Sequence, residues 1–230
     1  MKPRNLEILA YEETPLGPLC LRRRELLSEP GTIVTEVTLN HEFLMSSYNT
    51  DSERAISNRS IEIHGGRDLK ALVGGLGLGY TTRELLRHDH VASVEVIEFL
   101  PQVIDWLRDG RVPLSSELNA ASQLHVSAGD VYQRLLDPPR NQFDLIVIDV
   151  DHSPRDQLGD EHKFYTAEGL ASAKAHLHKG GVLAVWSYAE SSHFANALKR
   201  VFVQVHVEPI TTTNALVGHE QTDWLFFGVG

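Results

Sequence analysis

Between residues 69 and 187 short apolar runs rich in strand-forming residues alternate with amphipathic stretches, and this alternation constrains the fold more than any other feature. A doubly covered strand reads as an unbroken apolar run and its covering helix as a 3.6-residue pattern. The repeated order strand, helix, strand therefore specifies an α/β domain with a parallel sheet. Leu69–Gly74, Ala92–Glu98, Gln123–Ser127, Phe143–Asp149 and Gly181–Ser187 are predicted strands. Thr82–Arg87, Leu100–Arg108, Val131–Leu136, Ala167–Leu177 and Ser192–Val201 are predicted helices. Phe202–Glu208 and Trp224–Val229 read as strands with no helix between them, so an antiparallel hairpin at one sheet edge is expected.

The first 49 residues have a different texture. Leu6–Tyr11, Leu19–Arg22, Thr32–Leu39 and Phe43–Ser46 are short strand candidates separated by turns such as Thr14-Pro15-Leu16-Gly17. A small antiparallel β domain over residues 1–49 is expected, followed by the α/β domain over 50–230. Thr50-Asp51-Ser52-Glu53 has capping-box spacing and predicts a helix to about Ile63, ended by His64-Gly65-Gly66.

Composition narrows the function classes. A chain of 230 residues, 42% hydrophobic and 23% charged, can bury a full core, which excludes a disordered tail. One cysteine, Cys20, excludes an internal disulfide framework and Cys-rich zinc modules, and an intracellular, cytoplasmic home is the simplest expectation. The N-terminal Met1–Glu7 has no apolar segment behind its charges, and no run approaches the roughly 18 apolar residues that span a bilayer. Neither secretion nor a membrane partner is expected. A net charge of −10 argues against a nucleic-acid partner, whose phosphates call for Lys and Arg, and favours a small or cationic one.

Gly74-Gly75-Leu76-Gly77-Leu78-Gly79 follows a strand and precedes a helix. Glycines let the backbone turn tightly and approach a ligand, and the helix start offers free N–H groups; a tight turn without ligand is the plain alternative. Thr81-x-x-Glu84 is a second capping-box candidate, placing the helix start just after Gly79. Glu98 ends the second strand, where its carboxylate can accept from both ribose hydroxyls of a nucleoside lying over Gly75, Gly77 and Gly79. Asp130 holds the same place after the third strand, either receiving an adenine amino group or simply capping the next helix.

The fourth strand delivers Asp149-Val150-Asp151-His152-Ser153-Pro154 to the carboxyl edge of the sheet, where open α/β folds bind ligands. Asp149 is expected to face inward. Residues 144–161 carry Asp144, Asp149, Asp151, Asp156, Asp160 and Glu161 against Arg155 alone, an acidic rim that would attract an amine, or else a solvated loop. Twelve histidines form no metal-ligand spacing, and no metal is expected; His88-x-His90 and His176-x-His178 are expected at helix ends as imidazolium. No Gly-x-Ser-x-Gly elbow or P-loop Lys occurs.

Together these residues resemble the spermidine synthase family, in particular a bacterial spermidine synthase-like subgroup. The likeness rests on Leu39-Asn40-His41-Glu42-Phe43-Leu44, the glycine turn with Arg83-Glu84-Leu85-Leu86, Val96-Ile97-Glu98, Ala128-Gly129-Asp130, Phe143–Asp149, Phe164-Tyr165 and Gly180-Gly181-Val182-Leu183. It implies a Rossmann-like class I methyltransferase fold, a mostly parallel seven-stranded sheet with an antiparallel last strand, behind a small N-terminal β domain. It also implies a transferase that binds S-adenosylmethionine or decarboxylated S-adenosylmethionine and alkylates a small amine or polyamine, and a homodimer. Glu98 would then hold the ribose, Asp130 the adenine, and Asp149, with Asp151, would serve the attacking amine. The chain departs from the family where Leu78 stands for an Asp that engages the donor's amine, where Ser52 stands for a Tyr, and where Asp151 displaces the second acid of the Asp-x-x-Asp-Pro pattern. A small-molecule methyltransferase and a non-catalytic nucleoside-binding homologue are the alternatives.

Overall fold

The computed structural model describes residues 6–150, 163–214 and 219–230. Four strands, β1 (Leu6–Thr14), β2 (Gly17–Glu25), β3 (Ile33–Leu39) and β4 (Glu42–Ser46), form an antiparallel sheet in chain order. After α1 (Asp51–His64) come β5 (Leu69–Gly74), α2 (Tyr80–Leu86), β6 (Val91–Glu98), α3 (Pro101–Arg108), α4 (Ser115–Ala120), β7 (Leu124–Ala128) and α5 (Val131–Leu136). Then follow β8 (Phe143–Ile148), α6 (Ala167–Ala175), β9 (Leu177–Ser187), α7 (Ser192–Val201), β10 (Gln204–Asn214) and β11 (His219–Val229). The seven-stranded sheet has the order β10-β11-β9-β8-β5-β6-β7, and β11 runs antiparallel to both neighbours. The expected mostly parallel sheet and terminal hairpin are both present.

The period-2 rule of strands explains how one sheet supports two cores. Ala71 and Val73 of β5, Leu145 and Val147 of β8, and Val182 and Ala184 of β9 face one side, packing with Ile56 of α1, Leu85 of α2, Trp106 of α3 and Leu118 of α4. Leu72, Ile146, Ile148, Leu183 and Val185 face the other, against Val131 of α5, Leu170 of α6 and Phe194 and Leu198 of α7. Leu19, Leu21 and Val37 join the first core, so the small sheet packs into the same apolar mass as α1. Among the described residues no helix is long and apolar enough to cross a membrane.

Two details differ from expectation. Thr50 precedes α1 but makes no side-chain cap: its ψ of 21° is far from the extended value that aims a cap hydroxyl at the helix amides. In α2 the residue before the first helical position is Gly79, at φ 90°, so Thr81 lies inside the first turn and caps nothing. Both freed side chains, Glu53 and Thr81, serve the cleft described below. The short α4 escaped notice because its six residues bury a single large apolar side chain, Leu118. β10 and β11 are each eleven residues long, their outer halves masked in the sequence by Pro209 and polar residues tolerated at a sheet edge. His176 does cap the end of α6, but it is fully buried with Nε2 against the Asp137 carbonyl, and burial lowers its pKa, which favours the neutral ring over imidazolium. His178 lies within β9 and pairs with Asp144.

The sheet turns over at β5. The chain leaves β5 for β6 and β7 on one side and returns to β8 on the other, so the carboxyl ends of β5 and β8 border the crevice where this fold class binds ligands. Gly74 pairs with Ile148, and the Asp149 amide donates to the Gly74 carbonyl at 2.9 Å. Gly75, at φ 95°, passes so close that a Cβ there would stand 2.2 Å from the Asp149 carbonyl oxygen. Gly75→Ala should cost about 1–3 kcal/mol from backbone strain alone, and more from the clash. Chemical denaturation should therefore show a lowered midpoint, and a wild-type midpoint would mean that the turn is not held this way.

Candidate active cleft

The glycine turn is fixed from beneath by a buried acid. Glu98, at the end of β6, accepts the Leu76 amide on Oε2 at 2.7 Å and the Leu100 amide on Oε1 at 2.8 Å. Glu98 is buried, and burial raises its pKa while the amides of Leu100, Leu76, Gly77 and Phe99 oppose that rise. These donors hold the carboxyl group beneath the turn, at the end of β6. Above the turn, Met45 of β4 sits where a Gly77 side chain would be, 2.7 Å from that hypothetical Cβ, so the small sheet closes over Gly77.

A cleft of about 760 Å³ opens between the two sheets. The turn residues Leu76–Tyr80 form its floor, Glu42–Ser46 and Tyr48 one side, and Ser52, Glu53, Asp149, Trp186, Tyr188 and Asp223 the other. The Thr81 hydroxyl donates to Asp149 Oδ2, which explains why Thr81 is spent across the strands instead of at the helix start. Leu78 is buried in the floor, an apolar surface among the acids.

Three carboxyl groups from three elements meet here: Glu53 on α1, Asp149 after β8 and Asp223 on β11. Burial pushes Asp149 up to about 6, helped by Asp223 and resisted by Thr81. Burial likewise pushes Glu53 up to about 8, with Asp149 and then Asp223 adding to the rise and the Ser52 hydroxyl, 3.1 Å away, opposing it. Asp223 is raised by burial and steadied by Ser52, by Gln221 at 3.2 Å and by the nearby Trp186. The Trp186 indole N–H is close enough to exert that influence, yet meets no acceptor in hydrogen-bonding geometry among the described residues. Crowded acids of this kind hold protons that a bound ammonium would displace.

The sequence-derived residues separate into groups. Gly75, Gly77, Gly79 and Glu98 come together at the turn, and Asp149 lines the cleft beside them. Asp130 is exposed and Oδ1 caps α5 through the Tyr132 and Gln133 amides, leaving Oδ2 outside the cap. Asp144 is not on the rim at all: it is the second residue of β8, at the amino end of the strand, accepting the Lys70 amide at 2.8 Å. Asp151, His152, Asp156, Asp160 and Glu161 lie outside the described residues. Glu53 and Asp223 were missed as site residues. In the sequence Glu53 reads as half of a capping box, and Asp223 lies 74 residues from Asp149 beside a predicted hairpin strand.

On the opposite wall, Glu36 of β3 is buried and bonds Arg22 and Arg24 of β2, all three lining the cleft. Because Glu53, Asp149 and Asp223 carry raised pKa values, the native chain binds more protons than the unfolded one. Stability of the unliganded protein should thus fall as pH rises from about 4.5, the ordinary Glu value, through the folded value of about 8 for Glu53. Glu53→Gln should flatten that decline and stabilise the protein at pH 8 by at least about 1.4 kcal/mol, the worth of one pKa unit. Urea titrations at pH 5 and pH 8 measure this, and equal wild-type stability at both would contradict the crowded-acid picture.

Residues 39–212 match the family model for the spermine/spermidine synthase domain. A polyamine aminopropyltransferase of Alkaliphilus metalliredigens is 29% identical over 145 residues, covering 59% of this chain and 48% of its own length. The curated relatives are matched over less than half of their length. Among solved structures, spermidine synthase from Thermotoga maritima superposes with a TM-score of 0.73 at 16% identity, covering 96% of this chain and 72% of the other. A spermidine synthase in complex with the transition-state analogue AdoDATO gives 0.72 at 15%, with the same coverages. With three quarters of its length inside the family model and the fold shared throughout, the chain belongs to the spermine/spermidine synthase family.

Proposed function

We propose that the protein binds an S-adenosyl sulfonium donor across Gly75–Gly79 and transfers an alkyl group to a small amine held against Glu53, Asp149 and Asp223. Aminopropyl transfer from decarboxylated S-adenosylmethionine to a polyamine is the form of this reaction that the curated relatives' names suggest. The observation that carries the reading is the convergence of three carboxyls with raised pKa values on a cleft whose floor is the glycine turn.

The chemistry needs alignment and one proton acceptor. The amine nitrogen forms a bond to the carbon beside the sulfonium, the carbon–sulfur bond breaks, and its electron pair leaves with the neutral thioether. Asp149, with its pKa near 6, is ionised at neutral pH yet basic enough to take the proton that the nitrogen sheds. Thr81 fixes the carboxylate's direction through its hydroxyl, and Glu98 sets the nucleoside by its ribose. Glu53 and Asp223 hold the positive charge of the entering amine, while Asp130 Oδ2 is the candidate acceptor for the adenine amino group. Asp151 is assigned a supporting part near Asp149 by its position in the chain.

A specific observation favours a second reading. The buried Leu78 offers the donor no acceptor for an amine, so a donor whose reacting group is a methyl fits that floor equally well. Incubating the purified protein with each sulfonium donor and a panel of amines, then weighing the released thioether by mass spectrometry, separates methylthioadenosine from S-adenosylhomocysteine. Asp149→Asn should leave donor affinity in place and lower the transfer rate by about 10²- to 10⁴-fold, the usual contribution of a general base. An unchanged rate would remove Asp149 from the mechanism.

A further inference from the structure

The small sheet's wall of the cleft contains charge that alkylation of a simple amine does not use. Arg22 and Arg24 stand two residues apart on one face of β2, and Glu36 lies opposite Arg22 on β3. The Glu36 carboxylate is only 3% exposed; its Oε2 accepts from Arg22 Nε at 2.8 Å and its Oε1 from Arg24 Nε at 2.7 Å. A buried carboxylate must be paired to be tolerated, but one arginine satisfies that need. The second leaves one positive charge in surplus.

Each guanidinium is engaged through Nε alone, and the terminal Nη groups of both bond no described residue. Both arginine side chains are about one-third exposed and open onto the cleft, at 35% and 32%. Fixed at one edge by a buried acid, with the other donors free, they form a preorganised fork for a planar anion. The cleft is therefore bipolar. One wall presents Arg22 and Arg24, with the exposed Glu42 of β4 on the same small sheet; the other presents Glu53, Asp149 and Asp223.

We propose that Arg22 and Arg24 form a carboxylate subsite in this cleft, so that one of the two substrates is an amino acid-type molecule carrying an anionic group besides its amine or sulfonium. The proposal rests on the adenosyl-transfer reading for the cleft's acidic wall. The carboxylate belongs either to the donor, which would then be the undecarboxylated sulfonium, or to the acceptor, which would be a diamino acid in place of a diamine.

Matched ligand pairs that differ by one carboxylate test it on the full chain by titration calorimetry. S-adenosylhomocysteine against its decarboxylated counterpart probes the donor; ornithine against putrescine probes the acceptor. The carboxylated member of at least one pair should bind about tenfold tighter or more, and the pair that shows it identifies the source. The triple variant Arg22→Gln/Arg24→Gln/Glu36→Gln removes all three charges at similar volume and should bring that ratio to about one. Arg22→Gln alone, which leaves Glu36 paired, should give an intermediate ratio and guards against misfolding of the triple. No preference in either pair, or a preference that survives the triple, overturns the subsite. Failure of both nucleosides to bind defeats the adenosyl reading, while the ornithine-to-putrescine ratio still decides the arginine pair. Absence of binding by all four ligands overturns both.

Discussion

The two bonds from Glu98 to the amides of Leu76 and Leu100 are what the rest of the cleft depends on. One carboxylate ties the loop after β5 to the loop after β6, at the two strand ends beside the point where the sheet reverses direction. The glycine turn has positive φ at Gly75, Gly77 and Gly79 and so carries little intrinsic preference for a single shape. An internal acid at its base supplies the missing constraint. It does so at the cost of burying an acid, compensated by N–H donors aimed at it, and in the proposed function the same carboxyl receives the sugar.

From that base the cleft is assembled by side chains that local structure would have used otherwise. Thr81 gives up helix capping to orient Asp149, and Glu53 gives up its place opposite Thr50 to join Asp149 and Asp223. Local rules predict the commoner bond; for Thr81 the carboxyl of Asp149 across the crevice is the stronger acceptor, whereas Glu53 meets like-charged acids at an electrostatic cost. This is the pattern by which catalytic clefts tend to break local sequence rules. Its energetic mark is the upward displacement of three acids that would ionise freely on an open surface.

The sheet was readable in the sequence because its strands are covered on both faces and its order follows from the strand-helix alternation. Leu69–Gly74, Val131–Leu136 and Ser192–Val201 occur as the pattern dictates, and the remaining central elements shift by a residue or a few. The outer parts of β10 and β11 were not readable, since an edge strand needs no apolar continuity. For the cleft, residues adjacent to strand ends were legible: Gly75, Gly77, Gly79, Glu98 and Asp149 all follow from one topological rule. Glu53, Asp223 and the Arg22–Glu36–Arg24 group were not. They converge from α1, β11 and the small sheet, and no spacing in one dimension reports a meeting created by packing three separate layers.

Charge distribution then does more than net charge to restrict the substrate. A chain at −10 repels anions at long range, yet at short range the arginines on β2 outnumber the acid that anchors them. The two scales act at different distances: solvent and salt screen the global field within about 8–10 Å, whereas a guanidinium fork acts through direct hydrogen bonds in a confined space. A molecule that enters cationic end first is drawn to the acids beside Asp149, and an anionic group on it or on its co-substrate meets the two guanidinium groups on β2. A simple diamine satisfies only the first of these conditions. Under the proposed reading, the same cleft therefore distinguishes its ligands by where their opposite charges sit relative to the glycine turn, and the small N-terminal sheet becomes part of the recognition surface as well as a cover over it.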